Sequence, residues 1–257
     1  MSSFPAVLRS EWTKIRTVAS TSWTLALVFL VTVGFAALFS ATYDTTGMDA
    51  ADRATFDPTA MSFNSLLFGQ LAMIVFGVLV VSTEYSTGMI KTSLAAVPNR
   101  TGFLLGKMAV AGALALAVGL ATSFVSFFLT QSILGDFGIG IGADNVLRSV
   151  IGAGVYMALL ALFCMGVAAM LRSSVAAISI LIPFFLIVST VLMGFEATRT
   201  VGQYLPGNAG SRIMQVVPNA FGGPETPYGP WAGLGIMVLW VLASVIGGLL
   251  VLRKRDA

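Results

Sequence analysis

The chain has 257 residues, of which 57% are hydrophobic and 10% are charged, and its mean hydropathy is +0.92. These values exclude an ordinary soluble domain and indicate a protein with several membrane-spanning segments. The formal net charge is +3, but the basic residues stand singly at the ends of apolar runs, which argues against nucleic-acid binding.

Several kinds of chemistry lack the residues that they need. The chain contains no histidine, which excludes imidazole proton relays, His-ligated zinc and Ser-His-Asp catalysis. Cys164 is the only cysteine and lies within an apolar run, so neither a disulfide framework nor a thiolate metal cluster is expected. We therefore predict no metal site and no cofactor in this chain, and an intramembrane enzyme is the least favoured function.

The first predicted element is an amphipathic helix over residues 5–19. Its apolar stripe has helical spacing and consists of Leu8, Trp12, Ile15 and Ala19. Lys14 and Arg16 lie away from this stripe, as expected of a helix at the membrane surface. A flank that simply obeys the positive-inside rule is the alternative.

Six apolar runs are long enough to cross a hydrocarbon core of about 30 Å as helices. They cover approximately residues 23–41, 63–81, 103–129, 150–171, 175–195 and 231–252. The first run is too long for an ordinary signal-peptide core, so we expect it to remain as a span. Pro183 predicts a kink or a freed carbonyl group in the fifth run. The predicted fold class is an all-α polytopic membrane protein with a single transmembrane domain over residues 1–257.

The distribution of basic residues predicts the orientation of these spans. With the N-terminus placed inside, most Lys and Arg residues fall on the inner side, namely Arg9, Lys14, Arg16, Lys91, Arg100, Lys107, Arg172, Arg253, Lys254 and Arg255. The remaining basic residues fall outside and are Arg53, Arg148, Arg199 and Arg212. By the positive-inside rule, both termini are predicted to be cytoplasmic.

The loop between the second and third runs is polar and amphipathic. We predict a helix over residues 84–97, in which Glu84, Thr87 and Lys91 share one face. The broad opposite face is apolar and comprises Tyr85, Met89, Ile90, Leu94 and Val97. Such a helix suits the membrane surface, where it presents side chains to a soluble partner. An ordinary interfacial linker is the alternative.

The segment before the last run, residues 196–230, contains five prolines and six glycines. A semi-apolar stretch within it predicts short helices at the outer interface. The alternative is a disordered proline-rich connector.

No charged residue lies in the middle third of any predicted span. Ion-coupled transporters and voltage sensors depend on such charges, so a transporter of this composition draws its energy from elsewhere. Polar side chains at depth are candidates for lining a pathway for an amphipathic substrate, and they include Asn64, Gln70, Ser123, Ser126 and Ser189. Interhelical hydrogen bonding is the alternative for each of them.

One apparent nucleotide motif is discarded. Residues 102–107 resemble a phosphate loop, but they have one residue too few between the glycines and are followed by Met108 instead of Ser or Thr. The sequence therefore predicts no nucleotide site in this chain.

Three segments carry a resemblance to a known family: residues 8–16, residues 82–91 with Ala95-Ala-Val-Pro98, and residues 231–257. In their order and in the six-span layout, the chain resembles permease subunits of bacterial type-2 ATP-binding-cassette exporters. The resemblance covers essentially the whole chain, although each motif is short.

The resemblance implies an elbow helix at residues 5–19, which includes Trp12, Lys14 and Arg16. It also implies a coupling helix at residues 84–97 that sits in a groove of a separate ATPase, and short extracellular helices before the sixth span. In that helix Glu84 and Lys91 are expected to make charged contacts, and Tyr85 and Met89 to fill the groove. Gly88 is expected to permit close backbone approach, and the predicted coupling site also includes Thr87 and Arg100.

The predicted function is therefore that of a permease subunit, not an enzyme, in an ATP-driven exporter of the bacterial cytoplasmic membrane. The expected cargo is an amphipathic compound such as an antibiotic, a peptide or a lipid. The expected partners are two copies of a cytoplasmic ATPase that binds ATP and Mg, a second permease in a homodimer or related heterodimer, and membrane lipid. The alternative is a non-transporting membrane anchor or assembly factor.

Overall fold

The computed structural model describes residues 4–43, 56–97, 99–217 and 226–254. These residues form helices joined by short turns, and no strand occurs among them. The all-α fold class predicted from the sequence is confirmed.

Twelve α-helices are numbered here in chain order, within the described residues. They are α1 (Phe4–Thr17), α2 (Ala19–Thr42), α3 (Pro58–Asn64), α4 (Leu66–Ser86), α5 (Met89–Ala96), α6 (Arg100–Leu134), α7 (Val146–Leu171), α8 (Ser174–Pro183), α9 (Ser189–Gly194), α10 (Glu196–Gly202), α11 (Pro206–Ser211) and α12 (Pro230–Lys254). A π-helix over Phe184–Val188 joins α8 to α9, and 3-10 turns cover Gly135–Phe137 and Arg212–Met214.

Six segments are long and apolar enough to cross a membrane, as the sequence predicts. They are span 1 (Ala19–Thr42), span 2 (Pro58–Ser86), span 3 (Arg100–Phe137), span 4 (Val146–Leu171), span 5 (Ser174–Gly194) and span 6 (Pro230–Lys254). Spans 2 and 3 are longer than their apolar runs because polar residues cap them. Asp57 accepts hydrogen bonds from the amides of Thr59 and Ala60, and Asn99 accepts one from the amide of Gly102.

Span 4 forms the centre of the bundle. Its most apolar stretch is 72% buried, compared with 22% for each of spans 1, 5 and 6. It packs against spans 2, 3, 5 and 6. Glycines permit the closest approaches, since a Cβ atom at Gly77 would lie 2.7 Å from the carbonyl oxygen of Ala161, and one at Gly119 would lie 2.8 Å from that of Gly154.

Span 5 contains the break that Pro183 predicts. Proline removes a backbone donor and its ring clashes with the preceding turn, and the chain continues from Pro183 as the π-helix. The hydroxyl of Ser189 donates a hydrogen bond to the carbonyl of Phe184 at 3.0 Å, which satisfies one acceptor of the disturbed helix.

The two ends of the bundle differ in what they carry. We call one end the terminal face, because both described ends of the chain lie there: Val7 packs at Gly106, and Arg253 donates to the hydroxyl of Thr101 at 2.7 Å. The opposite end, the loop face, carries α3, α10 and α11. Short helices predicted within residues 196–230 are observed up to Met214, while residues 218–225 lie outside the described part.

Candidate functional site

The elbow helix α1 lies against the terminal face. It ends at Thr17 rather than at residue 19, because Val18 adopts an extended conformation and Ala19 begins span 1. The buried side of α1 consists of Val7, Glu11 and Ile15. The predicted apolar stripe is therefore rotated, and Trp12 is 44% exposed.

The reason for this rotation is a cluster of four charged residues from three elements, of which three are buried and Lys14 is partly exposed. Lys14 lies 2.7 Å from Glu11 and 3.0 Å from Glu84, and Lys107 lies 2.5 Å from Glu11 and 2.7 Å from Glu84. Glu11 is 1% exposed, Lys107 4% and Glu84 5%. We call these four residues the charge cluster; it joins α1 to the end of span 2 and the start of span 3.

An aromatic ring and a hydroxyl complete the surroundings of the two lysines. Both ammonium groups lie 5.5 Å from the centre of the Phe103 ring, which adds a cation–π attraction. Lys14 also donates a hydrogen bond to the hydroxyl of Ser93 at 3.1 Å. Since Ser93 lies in α5, one ammonium group contacts the elbow helix, span 2 and the short helix together.

The charges in this cluster stabilise one another. Burial alone would lower the pKa of Lys14, but the hydrogen bonds and charges of Glu11 and Glu84 outweigh it, so the pKa is raised above its ordinary value of 10.5. Lys14 is therefore charged at neutral pH. Removal of one partner from such a buried pair leaves an uncompensated charge, which typically costs about 3–5 kcal/mol.

The predicted coupling helix over residues 84–97 is not a single helix. Span 2 continues through Ser86. Gly88 then adopts a left-handed backbone conformation with φ +71°, and α5 begins at Met89. Glycine adopts this left-handed conformation without the steric penalty of a side chain. The separate helix within the predicted segment is the eight-residue α5.

The sequence-predicted coupling residues separate into two groups. Thr87, Gly88, Met89 and Lys91 are exposed on the terminal face, and Met89 is 45% exposed. Together with Thr92 they form what we call the coupling surface.

The other predicted coupling residues make internal contacts. Glu84 is buried in the charge cluster, and the guanidinium of Arg172 lies 5.4 Å from the ring of the half-buried Tyr85. Arg100 donates a hydrogen bond to the carbonyl of Leu252 at 2.8 Å, at the end of span 6. The structure therefore places Glu84, Tyr85 and Arg100 within the bundle and not on the coupling surface.

The predicted elbow residues also differ in position. Lys14 enters the charge cluster, whereas Trp12 and Arg16 remain on the surface, with the Arg16 guanidinium 5.9 Å from the Trp12 ring. An exposed indole beside a cation is typical of the membrane interface.

Glu11 and Lys107 are functional candidates that the sequence reasoning missed. Lys107 follows Gly102-Phe-Leu-Leu-Gly in an apolar helix, and such a position requires a nearby counter-charge. That signal was present in the sequence, but it does not identify Glu11, which is 96 residues away.

A second feature is a cavity of about 310 Å³ near the loop face, which we call the loop-face cavity. Asn64 and Gln70, two of the predicted pathway residues, line it. Other polar side chains on its wall are Tyr156, Thr190, Asn208 and Ser211.

The three predicted pathway serines do not line this cavity. Ser123 donates to the carbonyl of Leu120, and Ser189 donates to that of Phe184. Ser126 is fully buried in span 3, and its hydroxyl has no hydrogen-bond partner. The hydroxyl groups of Ser123 and Ser189 bond within their own spans and not between helices, so neither pathway lining nor interhelical hydrogen bonding is seen for these three serines.

The fold and the terminal face together define the class of this protein. It is a multi-pass helical membrane protein in which the charge cluster joins an elbow helix to spans 2 and 3, and a hydrogen bond from Lys14 to Ser93 joins the elbow helix to the surface helix between those spans. Among the described residues, no group of His, Cys, Asp or Glu is arranged to hold a metal ion.

Comparison with known families gives the particular assignment. Residues 7–190 match the model of the ABC-2 family transporter protein. Because the match covers more than half of the chain, the protein belongs to this family and is a membrane permease component, and family membership implies partnership with an ABC ATPase subunit. None of the curated proteins that were compared matches the chain significantly. The resemblance stated from the sequence is confirmed.

Proposed function

We propose that this permease is driven through α5, on which a separate ATPase binds at the coupling surface. The observation that carries the proposal is the contact of Lys14 with both Ser93 of α5 and Glu84 of span 2. A displacement of α5 therefore reaches the elbow helix and spans 2 and 3 without an intervening flexible segment.

The connection of α5 to the bundle allows it to move as one body. Its N-terminal connection is Gly88, which lies in open space and has no close side-chain neighbour. Its inward side chain, Ile90, is buried in the core. When the ATPases close upon ATP binding, α5 would turn about Gly88, and the charge cluster would pass this rotation to both spans.

The exposed charges support a cytoplasmic terminal face. The two described acids of this face, Glu11 and Glu84, are buried by pairing with lysines. The exposed charged residues are basic, namely Arg9, Arg16, Lys91, Arg253 and Lys254. This asymmetry is what the positive-inside rule requires of a cytoplasmic side.

The complete transporter in this proposal is a bacterial exporter in the cytoplasmic membrane. Two permease copies, identical or related, pair with two ATPase subunits that bind ATP and Mg. Its cargo is an amphipathic compound that enters the bundle and leaves at the loop face. No charged side chain of the described spans lies at mid-depth to couple an ion gradient, so ATP hydrolysis by the partner is the energy source.

Two substitutions that introduce a negative charge on the coupling surface test the proposal. Lys91→Glu and Met89→Asp should each weaken binding of the cognate ATPase at least about tenfold, which corresponds to about 1.4 kcal/mol. Lys254→Glu is the matched control, because Lys254 is an exposed base of the same face outside α5. Binding is measured by titration of the ATPase onto the permease in nanodiscs, together with the ATP hydrolysis that the permease stimulates.

Two results would contradict the proposal in different ways. Unchanged affinity and hydrolysis in both α5 variants would remove the coupling surface from the ATPase interface. An intact complex that hydrolyses ATP but accumulates no amphiphilic dye in proteoliposomes would instead favour a non-transporting anchor.

A further inference from the structure

The loop-face cavity lies where four parts of the fold meet. Span 2 contributes Gln70, span 4 contributes Tyr156, the π-helix contributes Phe185, and α11 contributes Asn208. Its volume of about 310 Å³ is at the lower end of the range of about 300–1,000 Å³ that is usual for small-molecule sites. A site of this size accepts a small molecule and excludes a folded peptide or an intact lipid.

Among the described residues that line this cavity, none is Asp, Glu, Lys or Arg. A charged ligand would lose its hydration there without meeting an opposite charge, which is strongly unfavourable. The cavity therefore selects uncharged molecules.

Gln70 provides an unpaired donor in the cavity wall. Its side chain is only 7% exposed, and its amide oxygen accepts a hydrogen bond from the hydroxyl of Tyr156 at 3.0 Å. In this orientation of the amide, its nitrogen donates to no acceptor among the described residues. This nitrogen is not among the fully buried atoms that lack a partner, so it has access to the open space of the cavity and is available for a ligand oxygen.

Asn208 provides the complementary acceptor. Its amide nitrogen donates to the carbonyl of Gly202 at 2.8 Å and to that of Ser189 at 3.2 Å. Both donor hydrogens of this amide are thus used, which leaves its oxygen for a ligand donor.

The apolar part of the wall depends on the π-helix. Phe63 and Phe185 are buried side chains that line the cavity. A Cβ atom at Gly207 would lie 2.9 Å from the Phe185 ring, so the absence of a side chain at Gly207 allows α11 to close over the ring. Single π-helical turns occur frequently at functional sites because they re-aim side chains, and here the turn contributes Phe185 to the wall.

From these observations we infer that the loop-face cavity binds small, uncharged molecules that carry a hydrogen-bond acceptor and a donor, such as a secondary amide, next to an apolar group. The inference rests on the proposed function, for which it specifies the class of cargo. Gln70 and Asn208 orient the polar end, and the two aromatic rings hold the apolar end.

A matched series of probes tests the charge selectivity. The probes are para-butylacetanilide, which is neutral, para-butylbenzoate, an anion, and para-butyl-N,N,N-trimethylanilinium, a cation. Binding is read from protection against maleimide labelling in a Leu67→Cys variant, because Leu67 lines the cavity and is exposed. The background is Cys164→Ser, which removes the only native cysteine. When concentrations in the membrane are compared, half-maximal protection should require at least about tenfold less of the neutral probe than of either ion.

Two substitutions and one control test the role of Gln70. Gln70→Leu should raise the half-protecting concentration of the neutral probe about tenfold. Gln70→Glu, which keeps nearly the same side-chain shape, should weaken protection by the neutral probe and strengthen protection by the cation. Ser126→Ala is the matched control, because this buried serine has no hydrogen-bond partner and lies outside the cavity.

The outcomes separate this inference from the proposed function. No protection by the neutral probe, or protection that is independent of charge and of residue 70, would overturn the inference and leave the cavity as a site for water. Unchanged ATPase affinity and hydrolysis in the Lys91→Glu and Met89→Asp variants, together with intact protection by the neutral probe, would overturn the proposed function and leave binding in the cavity established.

Discussion

The terminal face and the loop face of the bundle join their helices with different chemistry. At the terminal face, two lysines and two glutamates hold three helical elements together. At the loop face, most of the polar contacts between elements are hydrogen bonds of neutral amides and backbone groups. Gln131, for example, donates to the carbonyl of Pro58 at 3.0 Å and accepts from the amide of Ile139 at 2.8 Å.

The difference fits the tasks proposed for the two ends. Buried ions are costly to separate, so the terminal face should move as a unit when a partner displaces it. Neutral hydrogen bonds each contribute about 1 kcal/mol, so the loop face can exchange partners and accept a ligand.

The largest effect is expected from Glu11→Ala. It leaves Lys107 buried with only Glu84 as a counter-charge, so the free energy of unfolding should fall by about 3–5 kcal/mol. Unfolding in mixed detergent micelles measures the change. Arg9→Ala, at an exposed position of the same helix, should change stability by less than about 0.5 kcal/mol.

A double variant separates stability from coupling at the same site. Glu11→Met with Lys107→Met removes one charge of each sign, so much of the lost stability should return. Stimulation of the ATPase should stay impaired if the ions transmit the motion of α5. Full recovery of both properties would mean that the cluster serves packing alone.

A smaller effect is expected at the loop face from Asp57→Ala. One carboxylate oxygen caps α3, and the other accepts a hydrogen bond from the amide of Val217 at 3.1 Å. Loss of such a cap costs about 0.5–2 kcal/mol. Asp57→Asn keeps an acceptor at the cap and should retain most of the stability in the same unfolding measurement.

Alkaline pH should lower the stability of the terminal face, because Lys14 loses its charge. Because its folded pKa is raised above 10.5, its stabilising contribution is complete below that value and is lost as pH rises through the higher folded pKa. Between pH 7 and 9 the contribution of Lys14 should be fully present and stability should not change with pH on its account, whereas a decline should begin above about 10.5. Lys14→Arg should delay this decline, because guanidinium remains charged; an identical profile in both proteins would refute the assignment.

The smallest effect is expected from salt. Ion pairs that are shielded from water are screened far less than exposed ones. An increase of ionic strength from about 0.1 to 1 M should therefore change the stability difference between wild type and Glu11→Ala by less than about 0.5 kcal/mol. A large decrease in that difference would show that the cluster is open to solvent.

Much of the architecture was predictable from the sequence, because a membrane span is a local property of composition and length. The six runs, the elbow helix and the interruption between spans 2 and 3 all follow from patterns within a few tens of residues. Even the break at Gly88 has a local signal, since glycine is the residue that best tolerates a positive φ.

The charge cluster was not predictable in the same way. Glu84 and Lys91 share one face of an ideal helix, yet the turn at Gly88 sends Glu84 inward and leaves Lys91 exposed. The pairing of Glu11 with Lys107 depends on the packing of three separate elements, and no sequence period encodes it. The serines of span 3 show the same limit: Ser123 and Gln70 are both polar residues at depth, and only tertiary packing places one of them at a cavity.

The pairing of Glu11 with Lys107 also imposes an order on assembly in the membrane. The elbow helix is synthesised first, and Glu11 then has only Lys14 nearby on its own helix. Its second counter-ion arrives 96 residues later with span 3. Until then the carboxylate is stable only in the hydrated interface, so final docking of the elbow helix must follow insertion of the third span.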